Sequence, residues 1–167
     1  MGPDFSLGAE APSQAPFDRI ESLFFGIGAQ KAGTTWLHDY LHAHPDVVVP
    51  QIGVGSKELH YWDSVRPPYR TRYLDMVRAR QQQRRWRNLA IRLIGDRAQR
   101  DRERQWALYA EALRDGGRSH ARYLELLFFR WQGQRAVGEI SPAYGLLDRE
   151  TFAEMAALSR KTKFVYV

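Results

Sequence analysis

Lys31, Thr34 and Thr35 stand between an apolar run, Leu23-Phe24-Phe25-Gly26-Ile27-Gly28, and a helix-like stretch, Thr34 to Ala43. A strand that ends in glycine, turns tightly and opens into a helix aims backbone N–H groups at one point. The positive end of the helix and one ammonium converge there too, which suits a phosphate or sulfate group. The spacing departs from two nucleotide fingerprints. Gly28 and Gly33 fill the glycine positions of GxxxxGK[ST], but Thr34 stands where the lysine belongs, and the lysine is Lys31. Gly26 and Gly28 open a GxGxxG pattern, and Lys31 takes its third glycine position. From inside the turn Lys31 could reach the bridging oxygen of a phosphosulfate as well as its phosphate. The hydroxyls of Thr34 and Thr35 and the first free helix amides would take the remaining oxygens.

A second segment, Lys57-Glu58-Leu59-His60-Tyr61-Trp62-Asp63, sets a carboxylate beside an ammonium. A carboxylate within about 3 Å of a hydroxyl or amine can accept its proton during attack. A fixed cation can stabilise charge growing on a leaving oxygen. A third, Gly138-Glu139-Ile140-Ser141-Pro142-Ala143-Tyr144, joins the end of an apolar run to Ser-Pro turn chemistry. His38 and His42 are four apart on the expected helix, a zinc-compatible spacing, but Asp39-Tyr40-Leu41 lacks the glutamate of HExxH and no third ligand is apparent. No metal site is expected.

Gln30-Lys31-Ala32-Gly33-Thr34-Thr35 resembles the 5′-phosphosulfate loop of the sulfotransferases that use 3′-phosphoadenylyl sulfate (PAPS). Lys57 to Trp62 resembles the KE-x-H-[FY]-[FW] segment of their glycosaminoglycan-modifying and related bacterial groups, and Gly138 to Tyr144 their GE-x-SP-x-Y segment near the acceptor. The resemblance implies a P-loop-NTPase-like three-layer α/β fold with a mainly parallel sheet. It also implies PAPS as co-substrate without metal, and Gln30, Lys31, Ala32, Gly33, Thr34, Thr35 and Trp36 as cofactor contacts. Lys31 would steady the phosphosulfate bridge, Glu58 would act as base, and Lys57, His60, Ser141 and Tyr144 would be secondary or acceptor contacts.

His60 is an alternative base, the role histidine has in the cytosolic small-molecule branch, although the Lys-Thr-His context of that branch is missing here. Ile140 replaces the lysine common in the heparan-modifying enzymes, which argues against copying their polysaccharide specificity. Phe164 to Val167 looks like the strand that precedes the family's Arg-Asp-Pro segment, so the chain is expected to be the N-terminal part of the domain, with the 3′-phosphate grip beyond it, and to hold the cofactor weakly by itself.

The elements that must hold these residues follow from periodicity. Ser22–Ile27 reads as a buried strand and Thr34–Ala43 as a helix with Trp36, Leu37, Tyr40 and Leu41 on one face, stopped by Pro45. Val47 to Val49 is a short β run. Residues 69–130 read as a helical insertion, with Trp86, Leu89, Ala90, Leu93 and Ile94 as an apolar stripe and a break at Gly116-Gly117. Ala136–Ile140 is a strand, and Asp148–Ser159 a helix with Phe152, Met155 and Ala156 inward. Lys163–Val167 is a buried strand. Alternating strands and helices indicate an α/β layer fold.

A chain of 167 residues is normally one domain, and 44% hydrophobic content fits a globular one. Residues 1–19, with Pro3, Pro12 and Pro16, read as a flexible leader rather than a signal peptide, and 20–167 as the domain. No run approaches the roughly 18–20 apolar residues of a membrane span. The absence of cysteine excludes disulfides and thiolate metal sites and fits a cytoplasmic setting. Ten arginines between Arg78 and Arg104 carry most of the net charge of +6. No aromatic RNA motif or helix-turn-helix accompanies them, so no specific nucleic acid is expected as partner. The expected partner is a small-molecule or glycan acceptor. Two other readings remain: a P-loop-type nucleotide phosphohydrolase or kinase, and a noncatalytic basic module that binds anionic polymers.

Overall fold

The computed structural model describes residues 15–52, 57–64, 75, 96–113 and 119–167. Within them the chain forms helix α1 (Ala15–Arg19), strand β1 (Ser22–Gly28), helix α2 (Thr34–Ala43) and strand β2 (Val47–Val48). Helices α3 (Arg97–Ala112) and α4 (His120–Leu127) follow, then β3 (Ala136–Ile140), a 3-10 turn (Pro142–Leu146), α5 (Arg149–Ala157) and β4 (Thr162–Tyr166). The four strands make one sheet in the order β2-β3-β1-β4, and every pairing is parallel. Parallel strands need both faces covered, so an inner strand reads as a continuous apolar run. Leu23, Phe24 and Phe25 of β1 are all buried.

Alternation along β1 splits the core between the two faces. Leu23 and Phe25 join the larger cluster with Val137, Trp62, Trp106, Tyr109, Tyr123 and Met155, so α3, α4 and α5 cover that face. Phe24 joins Val49 and Ile140 under Leu37 and Leu41 of α2, which covers the other. Helices on both faces of a parallel sheet fit the expected three-layer α/β arrangement. Among the described residues no helix is long and apolar enough to cross a membrane.

Several expectations shift in the structure. On α2, Leu37 and Leu41 pack inward, but Trp36 and Tyr40 are 70% and 55% exposed and stack on each other at 5.5 Å. The buried stripe is Thr34, Leu37, His38 and Leu41, at the i, i+3, i+4, i+7 spacing of one helix face. On α5, Met155 is buried, but Ala156 is exposed and Thr151 takes the inward place. Strand β4 is less buried than its composition predicts, because it lies at the sheet edge and leaves Phe164, Tyr166 and Val167 partly exposed.

Residues 15–19, expected at the end of a leader, form α1. Phe17 enters the main core, where its ring meets Phe128 edge-on at 5.5 Å. The Lys161 ammonium donates to the carbonyls of Phe17, Asp18 and Ile20 at 3.1, 3.2 and 2.7 Å, which suits a cation at a helix C-terminus. Residues 1–14 lie outside the described residues. So do the stripe from Trp86 to Ile94 and the break at Gly116-Gly117 within the expected insertion. Its described part is not an appendage, since Trp106 and Tyr109 of α3 and Tyr123, Leu124, Leu126 and Leu127 of α4 are buried in the main core. Helix α3 starts with a capping box between Asp96 and Gln99, at 2.7 and 3.3 Å.

Candidate functional site

Strand β1 delivers the 29–33 loop at its C-terminal end. A Cβ at Gly28 would stand 2.6 Å from the Tyr166 ring of β4, so that exposed ring would have to swing aside. Lys31 has φ of +66° and Gly33, the cap of α2, has φ of +87°. Left-handed backbone is easy for glycine and costs about 1–2 kcal/mol for a lysine. Gly33 provides no side-chain cap, and the first turn of α2 carries no acidic residue, so its amides keep their affinity for an anion. Gln30, Lys31, Ala32 and Gly33 are exposed; Thr34 is buried and Thr35 exposed.

The segment 57–64 crosses to this loop from the chain beyond β2. The Lys57 ammonium donates to Thr35 Oγ1 at 2.7 Å and lies 3.5 Å from Thr34 Oγ1, so the threonine pair that lacks a preceding lysine receives one from 22 residues downstream. Glu58 Oε1 is 3.8 Å from the same ammonium. Its other oxygen accepts from His60 Nε2 at 3.0 Å, and His60 Nδ1 donates to Asp63 Oδ2 at 2.8 Å. A carboxylate–imidazole–carboxylate line therefore starts beside the loop and ends inside the protein, where Asp63 is 3% exposed and its Oδ1 has no partner among the described residues. His60 has φ of +51°. It and Lys31 are the non-glycine residues with positive φ among those described, and both belong to this site.

The ionisation states follow from the packing. Burial alone would lower the His60 pKa, but the hydrogen bonds from Asp63 and Glu58 outweigh it and raise it to about 9. His60 is thus an imidazolium at neutral pH, without a lone pair to accept a proton. The hydrogen bond from His60 holds Glu58 below the ordinary carboxylate value against the opposing effect of burial, so Glu58 is an anion.

Ser141 and Tyr144 lie behind the segment rather than in front of it. Ser141 Oγ accepts from the backbone N–H of Leu59 at 3.1 Å and of His60 at 3.3 Å. The Tyr144 hydroxyl accepts from the N–H of Tyr61 at 2.9 Å and of Trp62 at 3.4 Å. Both are fully buried, so they support the turn and are not surfaces for an acceptor. Both donate to Glu139, Ser141 at 2.8 Å and Tyr144 at 2.9 Å, and Tyr123 donates to the same carboxylate. Burial pushes the Glu139 pKa up to about 7 against the lowering effect of the three hydroxyls. Aromatic packing completes the support: Tyr61 stacks on Tyr123 at 4.0 Å, and Trp62 meets Phe25 of β1 edge-on at 6.3 Å.

The structure brings together Thr34, Thr35, Lys57, Glu58 and His60, with Ser141 and Tyr144 beneath. Trp36 instead points outward and stacks on Tyr40. Two functional positions had no role in the sequence reading. Asp63 carries a weak signal, its place three residues after His60. Glu139 carries a stronger one, an acid inside the apolar strand Ala136–Ile140, because a charge enters a buried strand only with partners. His38 and His42 do share a face, with rings 6.0 Å apart, and no group of three or more metal-binding side chains occurs among the described residues. Of the arginine-rich interval, Arg97 lines a cavity of about 470 Å³ with His42, Val47, Arg130 and Asp101. Val47 pairs with Ala136, which pairs with Ser22, so this cavity lies toward the opposite end of β1 from the loop.

Comparison with protein-family models, curated proteins and solved structures found no match to this chain.

Proposed function

We propose that this protein is a sulfotransferase that moves a sulfuryl group from PAPS to a hydroxyl or amine acceptor, small molecule or glycan. The observation that carries the reading is the reach of Lys57 to Thr34 and Thr35, which sets Glu58 next to the uncapped start of α2. An anion cradle and a carboxylate base then face one another, as in-line transfer requires.

In this reading Gln30, Lys31, Ala32, Gly33, Thr34 and Thr35 hold the phosphosulfate, with Trp36 at the edge of the cofactor. The acceptor oxygen or nitrogen attacks sulfur, and its proton passes to the Glu58 carboxylate. The bond from sulfur to the bridging oxygen breaks, and adenosine 3′,5′-bisphosphate leaves with that electron pair. Lys31 and Lys57 stabilise the charge that develops there. His60, already protonated, orients Glu58 and does not compete for the proton. No metal is invoked. A cytoplasmic location belongs to the same proposal and rests on the cysteine-free sequence.

Calorimetry with adenosine 3′,5′-bisphosphate and with ATP–magnesium tests this reading. The bisphosphate is expected to bind more tightly, and Lys31→Ala to weaken it about tenfold or more, as for loss of a charge-assisted contact. Preference for ATP–magnesium would overturn the proposal in favour of a nucleotide phosphohydrolase or kinase. Glu58→Gln is expected to lower sulfuryl transfer about 10²- to 10⁴-fold with bisphosphate affinity unchanged.

A further inference from the structure

The most demanding buried group outside the reacting residues is Glu139. It lies in β3 at the register position of Phe25, between the strands, and is 1% exposed. A lone carboxylate there would be expelled or neutralised. Its two oxygens instead collect three hydroxyls. Oε2 accepts from Ser141, and Oε1 accepts from Tyr144 and Tyr123. Each of these hydroxyls has a single proton, and with Glu139 ionised, as it is above about pH 7, that proton is committed to it.

That commitment fixes what the hydroxyls can do on their other side. With its proton turned to Glu139, Ser141 Oγ has only lone pairs left, and these receive the N–H groups of Leu59 and His60. The Tyr144 oxygen likewise receives those of Tyr61 and Trp62. The Tyr123 oxygen receives the indole N–H of Trp62 at 3.2 Å. Four consecutive backbone amides of the segment that carries Glu58 and His60 thus end, through one hydroxyl each, on a single carboxylate. This polarity is what a backbone at φ +51° in His60 needs, since four converging donors hold a conformation the residue would otherwise avoid.

We propose that Glu139 is a positioning residue: through Ser141 and Tyr144 it fixes the backbone of residues 59–62 and so aims Glu58 and His60 at the cradle. The effect on turnover rests on the reading of Glu58 as base; the effect on the turn does not. The titratable groups that face Glu139 are Tyr123 and Tyr144 directly, with His60 acting through space. In Glu139→Gln the amide N–H₂ points a donor at a hydroxyl already filled by backbone donors. That hydroxyl must rotate: if it is Ser141, Leu59 and His60 lose their acceptor, and if it is Tyr144, Tyr61 and Trp62 lose theirs.

The test is amide hydrogen exchange and the titration of His60 by NMR on the whole chain, with no nucleotide present. Glu139→Gln is expected to speed exchange about tenfold or more at one pair of amides, Leu59 and His60 or Tyr61 and Trp62, according to which hydroxyl its amide group faces. It should also lower the proton affinity of His60 about tenfold, one pKa unit, because the contacts to Glu58 and Asp63 loosen. Loss of the Glu139 charge could lower that affinity without any movement, so two further variants keep the charge. Ser141→Ala is expected to speed exchange at Leu59 and His60 selectively, and Tyr144→Phe at Tyr61 and Trp62, and both should lower the His60 proton affinity. They also serve if Glu139→Gln fails to fold. Wild-type exchange at these amides in the variants, or a His60 shift confined to Glu139→Gln, overturns the proposal. Preference for ATP–magnesium over adenosine 3′,5′-bisphosphate would sink the sulfotransferase reading and leave this result standing.

Discussion

His60 is ionised by its two neighbours, and its removal exposes what it was holding. In His60→Gln, Asp63 keeps a buried carboxylate with its proton donor weakened, and truncating one partner of a buried pair costs about 3–5 kcal/mol. Urea unfolding at pH 6 should show a loss near the lower figure. The pH dependence has a fixed sign. A pKa raised from 6.5 to about 9 means the folded state binds the proton more tightly, so the stabilisation is complete below 6.5 and is lost as pH rises through about 9. The gap between wild type and His60→Gln should therefore narrow between pH 6.5 and 9.5; a constant gap would show that His60 is not paired as described. At this scale the sequence marked Thr34-Thr35 and Lys57-Glu58 as local motifs, and the structure sets them side by side. Asp63 and Glu139 were not legible as partners. Ser141 and Tyr144 reach residues 59–62 across more than eighty positions, and no spacing rule marks such a hydrogen bond.

Elements were legible where the chain punctuates itself. Gly33 and Pro45 bracket α2, and its bounds agree with the expected Thr34–Ala43. Composition misjudged which faces are buried, since Trp36 and Tyr40 are as apolar as Leu37 and Leu41 yet lie outside. Which side of α2 meets the sheet is set by Phe24 and Ile140, not by the helix itself. The contact between β1 and β3 leaves no room at Gly138, where a Cβ would stand 2.0 Å from the Phe24 carbonyl oxygen. Gly138→Ala must push two paired strands apart, and a loss of about 3 kcal/mol or more in denaturant unfolding is expected. Lys161→Ala strips the donor from three carbonyl acceptors at the end of α1 and should cost about 2 kcal/mol, since hydrogen bonds from a charged group contribute more than neutral ones. Lys161→Arg, with a wider head, should recover only part of it.

At the level of the whole molecule, a ligand that fills the cradle must also stabilise the fold. At a hundredfold excess over Kd, adenosine 3′,5′-bisphosphate should add about 2.7 kcal/mol and raise the melting temperature by roughly 5–10 °C. The rise should fall to about half or less in Lys31→Ala, since a tenfold weaker Kd leaves about 1.4 kcal/mol at the same concentration, as read by a thermal scan with and without the nucleotide. The layered α/β plan was legible from alternating strands and helices, but the strand order was not. Nothing local tells β1 to lie between β3 and β4, because parallel partners are joined only through intervening helices.

The clasp of Lys161 on α1 joins positions 141 to 144 residues apart. Strand β1 depends on partners almost as remote, Ala136 at its first residue and Thr162 at its second. During synthesis the N-terminal segment therefore leaves the ribosome long before anything exists for it to pair with. At about 5–20 residues per second, that interval lasts on the order of ten seconds. Through that interval Leu23-Phe24-Phe25 is an unpaired apolar strand, the kind of segment that attracts chaperones or a second nascent chain. The remote pairing that makes β1 a firm base for the 29–33 loop also leaves it waiting longest for its partners during synthesis.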